Sequence, residues 1–295
     1  MLLGIGFVFG TFIGSFLNVC IWRMPREQSI VRPRSRCPHC AHPIAWYDNL
    51  PVLSFVLLRA RCRHCHQAIS WRYPLVEVLS GLAAVAALGR FGLEPKSLVY
   101  LGFLWALLAA SFIDLDFQII PDEISLGGLA LGVAISPLVP QLHGTDRVFA
   151  ALTRSVIGAL VGGGLLYLTG LCGNMGLLFL RRLGVRLRRH PFWRAKLSRY
   201  RHVRESLGGG DVKLLAMAGS ILGWKAVALT FFLSPLLAIL PGIWVLVTKR
   251  SHVIPYGPFL SLGLIVSLFA GEPILRVSGI EETMRFLWWY YSGNR

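Results

Sequence analysis

Apolar runs broken by Pro, Gly and Arg set the strongest limit on this chain. They recur at intervals of about 20 residues, the length a helix needs to cross the hydrocarbon core of a bilayer. Hydrophobic residues make up 55% of the chain and charged residues 15%. The mean hydropathy of +0.60 lies outside what a soluble domain of this size shows. In lipid the backbone must satisfy its own hydrogen bonds, so the runs are helices. The expected fold is an all-α polytopic membrane protein of about eight transmembrane helices, at about 3–22, 74–92, 98–113, 123–140, 149–180, 212–223, 225–248 and 256–271. The run 212–223 is short for a span and is expected to be partly re-entrant or sunk between other helices. Residues 1–22 carry no basic n-region and no small-residue cleavage site, so the first run is expected to be a retained helix.

The formal net charge is +16, which in a membrane protein reports loop orientation before it reports a nucleic-acid partner. Trp46, Tyr47 and Trp71 are too few and too scattered for a base-stacking platform, and no nucleic-acid partner is expected. Segment 23–73 holds nine Arg, segment 181–204 nine Arg and one Lys, and Lys249-Arg250 forms a third basic point. Eight spans put all three on one side, which the positive-inside rule assigns to the cytoplasm. The expected organisation is a first transmembrane helix at 1–22, a cytoplasmic metal-binding domain at 23–73, a helical membrane domain at 74–272 with a basic insertion at 181–204, and a tail at 273–295. The insertion is expected to lie against anionic membrane lipid, at about 1 kcal/mol per basic residue near the surface. The sequence has no solenoid-type repeat and no low-complexity tract.

Cys37-Pro38-His39-Cys40 and Cys62-Arg63-His64-Cys65 are separated by 21 residues. This is the two-knuckle spacing of a zinc ribbon, four thiolates for one tetrahedral ion. A reducing cytoplasm disfavours disulfides, and four thiolates close the coordination sphere, so the zinc is expected to be structural. His39, His42, His64 and His66 are substitute ligands that four cysteines make unnecessary, and Cys20 and Cys172 read as buried small side chains.

Two stretches carry carboxylates at the ends of apolar runs: Asp114-Leu115-Asp116-Phe117-Gln118-Ile119-Ile120-Pro121-Asp122, and Gly208-Gly209-Gly210-Asp211-Val212-Lys213. The charge rule puts Asp114 and Asp211 at the same cytoplasmic face. Two neighbouring carboxylates share a proton, one serving as base toward a water and the other as acid, which suffices for peptide hydrolysis. The glycine run leaves backbone bare for an extended substrate strand. A lone Asp near a boundary more often merely flanks a span, and Asp116 and Asp122 are alternatives to Asp114 that spacing does not separate. An ion-coupled transporter would hold such acids near the bilayer midplane, whereas both lie toward one face here.

Six separated motifs then carry a resemblance: Gly14-Ser15-Phe16-Leu17-Asn18-Val19 with Arg23 and Pro25, Cys37 to Cys40, Tyr73-Pro74-Leu75-Val76-Glu77, Ile113-Asp114-Leu115-Asp116 with Pro121-Asp122, Gly208 to Lys213, and Pro255-Tyr256-Gly257-Pro258-Phe259-Leu260. In this order, over about 14–272, the chain resembles the type IV prepilin peptidases, bifunctional membrane aspartic peptidases of the GxGD type. The resemblance implies cleavage of the basic leader of prepilins or pseudopilins at the cytoplasmic face of the bacterial inner membrane. It also implies N-methylation of the new amino terminus with S-adenosylmethionine as donor. It makes 74–272 the aspartic peptidase domain, Asp114 and Asp211 the catalytic pair, and Asp116, Asp122, Gly208, Gly210 and Lys213 supporting residues. Substrate pilins are the implied partners, with pilus or type II secretion assembly proteins as further candidates. The sequence has no Rossmann-type glycine fingerprint, so Asn18, Arg23 and Glu77, polar groups at helix ends beside the ribbon, stand as candidates for the methyl donor. The family usually has Gly where this chain has Ala60, before the second knuckle, so a backbone conformation that needs glycine is expected to be lost there, which leaves methyl transfer less secure than proteolysis. A peptidase without methyl transfer is the alternative. The leader is basic, so the basic insertion is not expected to bind it; Glu205, Asp116 and Asp122 suit that task better.

Overall fold

The computed structural model describes residues 1–187, 208–249 and 255–277. Its described helices, in chain order, are α1 (Leu2–Arg23), α2 (Leu53–Leu57), α3 (Arg72–Phe91), α4 (Pro95–Phe117), α5 (Asp122–Ile135), α6 (Val148–Leu187), α7 (Gly209–Leu222), α8 (Trp224–Lys249) and α9 (Gly257–Val277). Local signals set several of the boundaries. Pro95 opens α4 behind a capping box between Glu94 and Ser97, and Gln118 closes it in the left-handed region at φ 56°. Helix α7 starts from Gly208, which is extended, and stops at Gly223 with φ +79°.

Six of the described helices are long and apolar enough to cross a membrane: Leu2–Arg26, Arg72–Phe91, Pro95–Phe117, Val148–Gly176, Trp224–Trp244 and Gly257–Val277. The other two expected spans, 123–140 and 212–223, are the 14-residue helices α5 and α7. Each is about 21 Å long, against a hydrocarbon core of about 30 Å. Pro140 ends the first of these runs by opening a separate 3₁₀ turn, Pro140–His143. Helix α7 is sunk in the bundle, as its shortness suggests: Leu214, Leu215, Met217, Ala218, Ser220 and Ile221 are all buried. The two short helices run side by side in the same direction. Asp122 at the start of α5 meets Lys213 at the start of α7, while His143 lies beside Gly223 at the far end. Helix α6 continues seven residues into the basic insertion, to Leu187. Residues 273–277, expected in the tail, belong instead to α9; the rest of the insertion, Glu205 and residues 278–295 lie outside the described residues.

Packing depends on missing side chains. Helix α1 lies against α3, and α7 sits against α5 and α6. A Cβ on Gly10 would stand 2.7 Å from the Ser80 carbonyl oxygen and 2.8 Å from Gly81 Cα. One on Gly158 would collide with the Gly219 carbonyl. Small residues at helix contacts allow this backbone approach, which is what drives association in lipid. Gly158→Ala is therefore expected to cost about 1–3 kcal/mol and lower the melting temperature in detergent. Gly127→Ala is the control, because nothing lies within 4 Å of its added Cβ.

Candidate active site

Asp114 occupies the last turn of α4 and Asp211 the first turn of α7, and the side chains are 6% and 9% exposed. They lie within electrostatic reach of each other. Asp114 Oδ2 accepts the backbone N–H of Gly257 at 2.8 Å, across 143 residues of chain. Gly257 is the first residue of α9, and its N–H is the one this helix start offers the carboxylate: Pro258 has none, and those of Phe259 and Leu260 return to the Tyr256 carbonyl. The approach requires glycine: a Cβ at Gly257 would lie 2.8 Å from Asp114 Oδ2. Tyr256, one residue before it, is within electrostatic reach of Asp211 and pairs its hydroxyl with Ser234 of α8 at 2.6 Å. Tyr256 and Gly257 stood in a motif of the sequence but had not been given a role. The signal was there in Gly257-Pro258, a glycine needing no side chain followed by a proline suited to the start of a helix.

The glycine run divides its work. At Gly208 the missing Cβ leaves room for Asp211 Oδ2, 3.1 Å from where it would stand. At Gly210 the space is filled by Ile120, whose Cβ lies 3.1 Å from the position an added Cβ would take. Only Gly209 is open, with nothing within 4 Å. The bare backbone expected for a substrate strand is thus one residue wide, and Gly210 serves to seat the loop between α4 and α5. The supporting acids are each paired: Asp122 with Lys213 Nζ at 2.6 Å, and Asp116 with Arg72. Arg72 also donates to the Phe112 carbonyl at 3.2 Å and lies over the Phe112 ring. It therefore clamps the turn carrying Asp114 to the start of α3, where the cysteine domain ends.

That domain is built from two copies of one knuckle, 25 residues apart. The N–H of Cys37 donates to the His42 carbonyl and that of Cys62 to the Gln67 carbonyl, at 3.0 and 2.9 Å. Ala41 and His66 both turn at φ 57°, and single β-bridges join Arg36 to Pro43 and Arg61 to Ala68. The repeat was visible in Arg36-Cys37-x-His39-Cys40 against Arg61-Cys62-x-His64-Cys65. The sulfurs of Cys37, Cys40, Cys62 and Cys65 lie within 4.8 Å of one another, and Cys37 and Cys65 are 3.8 Å apart. Four thiolates at about 2.3 Å from one zinc stand about 3.8 Å apart, so the cluster fits the ion. The backbone N–H groups of Cys65 and His64 point at the Cys62 sulfur, and that of Gln67 at Cys65, the outer-shell donors a thiolate site needs. No histidine nitrogen belongs to the cluster. Arg63 holds Asp48 through two hydrogen bonds of 2.8 and 2.6 Å and keeps its carboxyl below the usual range. That link persists above the ordinary carboxylate range and is lost as pH falls through the lowered value.

Ala60 keeps the turn that glycine would favour. Its φ is +59°, with its N–H on the Phe55 carbonyl and its carbonyl on the Ile69 N–H, at 2.8 and 2.7 Å. The conformation expected to be lost is present, held by these two bonds against the strain of a left-handed alanine. Ala60→Gly is expected to stabilise the domain by up to about 1 kcal/mol, read as slower proteolysis between residues 24 and 71. Asn18, Arg23 and Glu77 line one cavity of about 910 Å³ between the knuckles and the ends of α1 and α3. Each also has a backbone partner: Asn18 donates to the Tyr73 carbonyl at 3.1 Å, Arg23 to those of Ser29 and Pro33, and Glu77 accepts from Val52 N–H at 2.7 Å.

Residues 8–91 match the bacterial peptidase A24 N-terminal domain and residues 101–243 the type IV leader peptidase family. The second match contains both aspartates. A prepilin leader peptidase/N-methyltransferase of Pseudomonas putida is 34% identical over 292 residues, 90% of each chain. The chain belongs to the type IV leader peptidase family. A relative of the same name from Aeromonas hydrophila is 35% identical over 92% of this chain and 91% of its own. One from Myxococcus xanthus is 39% identical over 83% of this chain, which spans 64% of that relative's length. No solved structure matches the chain. Gly257, the donor to Asp114, lies beyond the 101–243 match, so its role comes from the geometry alone.

Proposed function

We propose that the protein removes the basic leader of type IV prepilins or pseudopilins by an aspartate pair, Asp114 and Asp211, and then methylates the new amino terminus. The observation that carries the reading is the buried pairing of two carboxylates from α4 and α7, one of them held by the Gly257 N–H. The names of the relatives supply the substrate class. The pair holds one proton. Asp114, which already accepts a hydrogen bond, is the carboxylate that takes a proton from water as the water oxygen attacks the scissile carbonyl carbon. Asp211 gives its proton to the carbonyl oxygen. As the carbon–nitrogen bond breaks, the nitrogen leaves with the proton Asp114 took, and the diol returns one to Asp211. The products are the leader acid and a free amine, and the pair again holds one proton.

Positive loop charge supports a cytoplasmic active face in a bacterial inner membrane, with membrane lipid as partner of the basic insertion and secretion or pilus assembly proteins as further partners. Four cysteines with suitable sulfur spacing support a structural zinc. The 910 Å³ cavity has the size of a cofactor site and offers Asn18, Arg23 and Glu77 to S-adenosylmethionine, with the Trp22 ring beside them. The donor supplies an electrophilic methyl group, and the chain's part is to hold it and orient the amine. The retained turn at Ala60 favours the bifunctional reading over cleavage alone. Purified protein incubated with a prepilin is expected to give a product lacking the leader, and one methyl group heavier when S-adenosylmethionine is added. Intact prepilin in both arms would overturn the reading.

A further inference from the structure

Residues 50–58 read Leu-Pro-Val-Leu-Ser-Phe-Val-Leu-Leu, an uncharged stretch inside a segment that carries nine Arg. The structure does not leave it at the level of those arginines. Leu50, Pro51, Val52 and Leu53 share an apolar cavity of about 260 Å³ with Phe7, Val8, Thr11 and Phe12 of α1. Thr11 lies twelve residues before Arg23 in the same helix, about 18 Å along its axis. Helix α3 agrees: Val52 is bonded to Glu77, more than a turn inside α3 from Arg72. We propose that residues 50–57 form a re-entrant wedge that enters the bilayer beside α1 and takes lipid acyl chains against its outer face.

Backbone that dips into hydrocarbon must have its polar groups satisfied, and the wedge meets that demand at its turn. Pro51 has no N–H to satisfy. The N–H of Val52 goes to Glu77 Oε2 at 2.7 Å, that of Leu53 to the Pro51 carbonyl at 2.6 Å and that of Ser54 to the Leu50 carbonyl at 3.0 Å. The Ser54 hydroxyl donates to the Tyr47 carbonyl at 3.0 Å. The outer side is apolar and uncovered, with Leu53 52%, Val56 64% and Leu57 70% exposed. It is continuous with Val8 and Phe12, which belong to a membrane span and are themselves exposed. Lipid is the one occupant that serves both surfaces at that depth. On the inner side Leu50 and Val52 line the 910 Å³ cavity, so the wedge is a wall between that cavity and the bilayer. Glu77 then has a structural duty as acceptor for the turn, whether or not it also touches a methyl donor.

The test uses the full chain in phospholipid nanodiscs carrying a diazirine either midway along an acyl chain or on the headgroup, with adducts located by peptide mass spectrometry. Leu53, Val56 and Leu57 are expected to be labelled more by the acyl-chain probe than by the headgroup probe, as Val8 and Phe12 are, with Val31 and Trp46 showing the reverse. Headgroup labelling in excess at Leu53, Val56 and Leu57, or no adducts there while Val8 and Phe12 are labelled, overturns the proposal. Amide exchange gives a second reading. Glu77→Ala is expected to speed exchange at Val52 and Glu77→Gln, which keeps an acceptor oxygen, to leave it near wild type. Unchanged exchange in Glu77→Ala would remove Glu77 from the wedge.

Discussion

Asp211→Asn leaves a folded protein that no longer cuts prepilin. A general acid or base contributes about 10²–10⁴ in rate, and a pair that shares one proton acts as a unit, so either Asp114→Asn or Asp211→Asn is expected to lower kcat/KM for cleavage by about 10⁴ or more. Methylation of a pilin whose leader has already been removed is expected to survive both changes, because the 910 Å³ cavity is lined by α1, α3 and the knuckles and by neither aspartate. Asp116→Asn and Asp122→Asn are expected to be much milder. Their ion pairs with Arg72 and Lys213 are partly exposed, and such pairs contribute about 0–1 kcal/mol. Cleavage by wild-type protein should have a bell-shaped pH profile whose limbs belong to the pair together. Near-normal cleavage by Asp211→Asn would end the aspartate mechanism, while full activity in Asp114→Asn with loss in Asp116→Asn would shift the first acid by two residues.

Cys62→Ser separates the two activities in the other direction. Binding of a structural zinc by thiolates contributes apparent free energies of about 10–16 kcal/mol in small peptides at neutral pH, most of it folding energy. Between residues 24 and 71 the described structure has two 3₁₀ turns, the five-residue α2 and two single β-bridges. With so little regular structure, an ion held by the four thiolates is expected to carry much of the segment's stability. The variant is expected to lose its zinc, become sensitive to protease across this segment and lose methyl transfer. Cleavage should fall less, because the contact between the domain's end and the active turn runs through Arg72, already inside α3. Elemental analysis and the two assays on one preparation decide the matter, and active protein found without zinc would refute a structural metal.

What the sequence revealed and what it hid follow from the range of the interactions. Helices came from apolar run length, a local property, and α4 and α9 lie close to where the runs put them. The four cysteines stood out by their spacing and Asp211 by its glycine run, whereas Asp114 was separated from Asp116 and Asp122 by the family resemblance alone. The length of α5 was misjudged because the helix stops at Ile135, ahead of Pro137, and Pro140 opens another turn within the same apolar run, a change of geometry that hydropathy does not register. Gly210 was read as open backbone, since nothing local says that Ile120 will fill its space. Glu77 stood as a candidate for the methyl donor as a polar group at a helix end beside the ribbon, while its observed partner, the Val52 N–H, is a backbone group with no sequence signature. Gly257 is the plainest case: its role exists only across 143 residues of chain.

That last contact has a consequence for biosynthesis. A ribosome delivers α4 and α7 to the membrane before α9, so a nascent chain already contains both acids while the N–H that holds Asp114 has not yet been made. A chain interrupted before Tyr256 carries both acids without the N–H that holds Asp114. Cleavage by the proposed pair is then expected only from chains in which α9 has been made.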